Sequence, residues 1–124
     1  MSLEITWEKV GIVRHFSGTV TATDLRRSIE EIHADPRFPE LRYSINDFNA
    51  VTAIDITKAA IASAALRTIG DSKTNDHILV AIVATAPAVL ELAAFYASPS
   101  YLPYPAKVFA TVEEAREWIA LGVA

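Results

Sequence analysis

The run ILVAIVA, Ile78 to Ala84, contains no polar residue and is rich in β-branched side chains. A strand wet on one face alternates apolar and polar residues, whereas a strand covered on both faces reads as one continuous apolar stretch. The run therefore predicts an inner strand of a parallel sheet with helices on both sides. Its flanks agree. Upstream, SKTND is a polar loop after an alanine-rich helix, Ile56 to about Ile69, that Gly70 ends. Downstream, Pro87 suits the first turn of another helix, which runs to about Ala97 with Glu91 as its only charge.

Working outward to the N-terminus, Leu3, Ile5 and Trp7 alternate with Glu4, Thr6 and Glu8, the pattern of a half-exposed strand. KVG makes a turn, and Ile12 to Phe16 makes a second strand that SGTVTATD breaks. Thr21 and Asp24 form a capping pair for a helix that turns Leu25, Ile29 and Ile32 to one face and that Asp35-Pro36 ends. Leu41, Tyr43 and Ile45 alternate as a third strand, running into Asn46-Asp47-Phe48. Asp55 then reads as the N-cap of the alanine-rich helix. At the C-terminal side, SPSYLPYP is a proline-broken loop, Lys107 to Phe109 a short strand, and Thr111 with Glu114 a cap for the last helix. The order is β-β-α-β-α-β-α-β-α. It describes one α/β domain over residues 1–124, with a mixed, mostly parallel five-stranded sheet, four helices and an antiparallel first hairpin.

Composition excludes several functions. The chain of 124 residues has no cysteine, so disulfides, thiolate metal sites and cysteine nucleophiles are out. Its net charge is −4, and its densest basic cluster, Arg26-Arg27, is followed at once by Glu30-Glu31. Nucleic acid, which needs a positive surface, is not expected. Glu4, Glu8 and Lys9 interrupt any early apolar segment, and the longest apolar run is far short of the ~20 residues that a membrane span needs. A soluble, cytoplasmic protein is expected. His15, His33 and His77 have no metal-binding spacing, and there is no G-x-S-x-G, P-loop or dinucleotide fingerprint. No catalytic motif, metal or cofactor is expected, so the chain reads as non-enzymatic.

FSGTVTATDL (16–25), DPRFPELRYSINDFNAV (35–51), HILVAIVAT (77–85) and KVFATVEEAREWI (107–119) together resemble the SpoIIAA-like, STAS-related domains, whose founding members are anti-sigma-factor antagonists. The resemblance implies a regulatory or protein-interaction domain, often dimeric. In the antagonists the loop before the second helix reads Asp-Ser-Ser-Gly, and the second serine is phosphorylated. Here that place reads Asp55-Ile56-Thr57-Lys58, so Asp55 matches and Thr57 falls on the phosphoserine position, while Ile56 and Lys58 depart from the pattern. Lipid carriers of the CRAL-TRIO type share a related βαβ arrangement, which implies a small apolar ligand as the alternative.

The remaining candidates come from the residues themselves. Tyr96, Tyr101 and Tyr104 surround the proline loop and would form the lip of an apolar pocket with polar handles. Asp47, at the end of the third strand, would lie near a cleft, because ligands of parallel sheets gather at the carboxyl ends of strands. Ala59, Ala60, Ala62, Ala64 and Ala65 let another backbone approach closely. The two apolar helices also leave more surface than one sheet face covers, which predicts a homodimer.

Overall fold

The computed structural model describes residues 2–71, 75, 77–97 and 104–123. Its strands are β1 (Ser2–Trp7), β2 (Gly11–Thr21), β3 (Tyr43–Asp55), β4 (Leu79–Val83) and β5 (Ala106–Phe109). They form one sheet in sequential order, with β1 antiparallel to β2 and every later pair parallel. Its helices are α1 (Ala22–Ala34), α2 (Lys58–Asp71), α3 (Pro87–Tyr96) and α4 (Val112–Val123), with a short 3-10 turn at Phe38–Glu40. This is the mixed five-stranded, four-helix α/β architecture that the sequence implies.

Sequential strand order decides where the helices go. Crossovers of one hand, repeated in one direction along the sheet, deliver α1, α2 and α3 to the same face. The last described helix, α4, packs on the other face. The two cores reflect this. On the first face Ile12 packs with Ile32 of α1, Phe38, Leu41, Ile78 and Tyr104. On the second, Val13, Ile45, Ala81 and Val83 pack with Ala115 and Ile119 of α4. The run that predicted an inner strand behaves accordingly: Ala81 and Val83 are fully buried under α4, and Ile82 is buried on the opposite face.

Several boundaries differ from the sequence reading: α2 spans Lys58–Asp71, so Gly70 lies within it rather than ending it, and Leu41 precedes β3 at the end of the 3-10 turn. SGTVTATD does not break β2, which continues to Thr21. Nor does β3 stop after Phe48; it runs on to Asp55, where it pairs with Thr21. The register slips twice along this pair, between His15 and Ser17 and between Gly18 and Thr19, each time with an extra residue in β3. Gly18, at φ 71°, sits at the second slip. That left-handed conformation is strained for a side chain with a Cβ, so glycine here bends the strand rather than ending it. The α1 cap forms as read: Thr21 Oγ1 accepts from Asp24 N at 3.2 Å, and Asp24 Oδ2 accepts from Thr21 N at 3.0 Å.

Candidate functional site

Between the sheet and the layer formed by α1, α2 and α3 lies a cavity of about 140 Å³. Each layer contributes apolar side chains to its wall. Ile29 and Ile32 come from α1, Ile61 and Ala64 from α2, and Val89, Leu92 and Ala93 from α3. Val80 and Ile82 of β4 form the floor, with Phe48 of β3. Phe48 is stacked at 4.6 Å on Phe16, itself almost wholly buried.

The sheet also brings a polar cluster to this floor. β2 and β3 are in register at Arg14 and Asn46, so both side chains point to the same face. Arg14 Nε donates to Asn46 Oδ1 at 2.7 Å, and Arg14 Nη1 donates to Ser28 Oγ of α1 at 2.6 Å. Ser44 Oγ also donates to Asn46 Oδ1, at 3.1 Å, and Asn46 Nδ2 donates to the Ala81 carbonyl at 3.0 Å. Ser28, Ser44 and Asn46 are all buried. Arg14, Ser44 and Asn46 line the cavity. Arg14 thus carries a positive charge into an apolar chamber on neutral partners; among the described residues no carboxylate pairs with it. Burial lowers its guanidinium pKa to about 10, with Tyr96 nearby acting in the opposite direction. It stays charged at neutral pH.

The candidates named from sequence separate on this map. Tyr96 and Tyr104 line the cavity, and the Tyr104 hydroxyl donates to the Asn75 carbonyl. Tyr101 lies outside the described residues. Asp47 is not part of the wall. It accepts from Asn49 N at 3.0 Å and lies 3.1 Å from His15 Nδ1, its partner across β2 and β3, within a strand that continues to Asp55. Asp55 does not cap α2, because it is still in β3. The cap is Thr57, whose Oγ1 accepts from Ala60 N at 3.1 Å while its carbonyl accepts from Ile61 N. Both Asp55 and Thr57 are exposed.

Arg14 is the residue that the sequence reading passed over. One cue was available: Arg14 sits between Ile12 and Phe16 at the spacing of a single strand face, a cation on an otherwise apolar row. Among the described residues, no group of three or more histidine and acidic side chains is placed to hold a metal ion, and no helix is long and apolar enough to cross a membrane.

No protein-family model matches the sequence, and no curated protein matches it. Solved structures do match in three dimensions. The anti-sigma factor antagonist SpoIIAA in its unphosphorylated form superposes with a TM-score of 0.62 at 12% identity, over 96% of this chain and 98% of that one. The Bacillus cell fate determinant SpoIIAA in its phosphorylated form gives a TM-score of 0.63 at 11% identity, over 95% and 99%. An uncharacterised protein with a SpoIIAA-like fold from Shewanella loihica gives 0.55 at 15% identity, over 95% and 92%. At such identities the likeness speaks to architecture, and in architecture the chain has a SpoIIAA-like α/β fold.

Proposed function

We propose that the chain is a single-domain, cytoplasmic, non-enzymatic binding protein whose cavity takes a small, largely apolar ligand. The observation that carries this reading is the chamber itself: apolar side chains from all three helices and the sheet, with a few convergent polar groups at Arg14, Ser44, Asn46 and Tyr96. That composition is characteristic of small-molecule sites. Its size sets the scale of the ligand. An apolar cavity of about 150 Å³ admits benzene in a well-studied case, so about 140 Å³ suits a single ring or a short chain rather than a long-chain lipid. Protein-observed NMR against a panel of small apolar compounds tests this. The expected result is saturable shifts in the methyl groups of Ile61, Ile82 and Val89; shifts confined to surface residues would remove the cavity from the account.

A regulatory role through protein contacts, with a homodimer among those contacts, is the second reading. It is favoured by the fold shared with an anti-sigma factor antagonist, and by exposed Thr57 at the start of α2. Exposed Leu66 on α2 and Leu90 on α3 add apolar surface for a partner. Phosphate on Thr57 would sit at a positive helix end, which is electrostatically favourable. Incubation with candidate kinases and intact mass measurement should then show one added phosphate in the wild type and none in Thr57→Ala. An unmodified wild type, or addition that survives the substitution, would exclude Thr57 as the switch.

A further inference from the structure

Resting on the cavity reading above, we propose that the ligand is an anion: a small carboxylate with an apolar body of single-ring or about six-carbon size, its head group on the Arg14 guanidinium. The first support is the state of Arg14. Arg14 is half-buried at the cavity floor, and a charge withdrawn from water normally has an opposite charge beside it, because neutral dipoles replace lost hydration incompletely. Among the described residues the side-chain hydrogen bonds of Arg14 go to Asn46 Oδ1 and Ser28 Oγ, with Tyr96 nearby and the Phe16 ring 5.4 Å from its guanidinium carbon. These engage Nε and Nη1 and leave further N–H donors of the guanidinium fork for a ligand. A carboxylate is the planar acceptor that such a fork matches.

The second support is how firmly the fork is held. Asn46 cannot exchange its amide ends, because its nitrogen donates to Ala81 O while its oxygen accepts from both Arg14 and Ser44. Ser28 fixes the guanidinium from the opposite layer. The charge is therefore oriented before any ligand arrives, and less ordering entropy is lost on binding. The third support is what surrounds it. The apolar walls contributed by α2 and α3, Ile61, Ala64, Val89 and Leu92, offer a carboxylate's hydrocarbon body a place beside its head.

The test compares acids with alcohols of nearly equal shape. Benzoate is set against benzyl alcohol, and hexanoate against hexanol, by methyl NMR titration of the full chain at neutral pH. The acids are expected to bind about tenfold or more tightly than their alcohols, as a charge-assisted hydrogen bond should produce. In Arg14→Met that preference should vanish while alcohol binding persists; in Arg14→Lys, which keeps the charge but not the fork, part of it should remain. Should Arg14→Met not fold, the wild-type ratio and the lysine variant still decide. Alcohols binding as well as acids to the wild type would overturn the anionic head group and leave the apolar-ligand reading standing. An absence of cavity shifts with all four compounds would overturn both.

Discussion

Arg37 is held on two sides, by the Asp35 carboxylate and by the Trp7 ring. Its guanidinium donates to Asp35 through Nε at 2.9 Å and Nη2 at 2.8 Å, and its carbon lies 4.1 Å from the centre of the Trp7 ring. These bonds, with Arg37 N donating to the same carboxylate, hold the Asp35 carboxyl down to about 2 from an ordinary 3.8. A depressed carboxylate stabilises the fold above its ordinary pKa, and that contribution is lost as pH falls through the native value. Carboxyl-carbon NMR should therefore find Asp35 titrating at about 2. In Arg37→Ala the midpoint should return towards the ordinary range, with the Trp7 ring signals shifting as well. An unchanged midpoint would mean that the pair does not persist in water. Nothing in the residue order announced this arrangement. Two residues at i and i+2 around a proline give no periodic signal; the ring they meet lies about thirty positions earlier in the chain.

At the scale of elements, β2 and β3 are the lesson. Both are longer than the sequence suggested, because Gly18 and the small polar residues around it carry the usual signs of a break. Glycine at a bulge and glycine at a turn look alike in a single chain; only the partner strand distinguishes them. Substituting Gly18→Ala should cost about 1–2 kcal/mol, the usual penalty for a Cβ in the left-handed region, with the urea m-value unchanged. A cost near zero would mean that the strand relaxes at the slip. Elements that carry their own punctuation were legible. The Thr21–Asp24 and Thr111–Glu114 caps appear where they were read, since a cap is a local exchange of hydrogen bonds. Asp55 was misplaced for the same reason in reverse: the true cap, Thr57, stands two residues on, and only the extent of β3 shows which is right.

Over the whole molecule, sequence order predicted the layers but not the space left between them. Apolar helices were expected to bury their surplus against a second chain; part of the apolar surface of α1, α2 and α3 lines a cavity. Voids arise from how side-chain volumes meet across three helices and a sheet, and no one-dimensional pattern records that sum. Filling this space should stabilise the fold. Ala93→Leu, directed from α3 at a buried position on the wall, should raise stability by roughly 0.5–2 kcal/mol and weaken binding of any ligand. Overpacking a site that is already full would instead cost about 1–3 kcal/mol, so the sign of the change in denaturation midpoint decides the matter.

The order of the strands has a bearing on synthesis. Because β1 to β5 lie side by side in the order in which they are translated, each strand emerging from the ribosome meets a neighbour already made. Only β1 and β2 join residues close in sequence; each parallel pair closes a loop of about thirty residues through a helix, a slower step, and the sheet can grow by one strand at a time. The exception is the face that Val13, Ile45, Ala81 and Val83 share, whose cover, α4, follows every strand. That greasy surface stays bare until α4 leaves the exit tunnel, which makes it the place where a nascent chain would most need a chaperone.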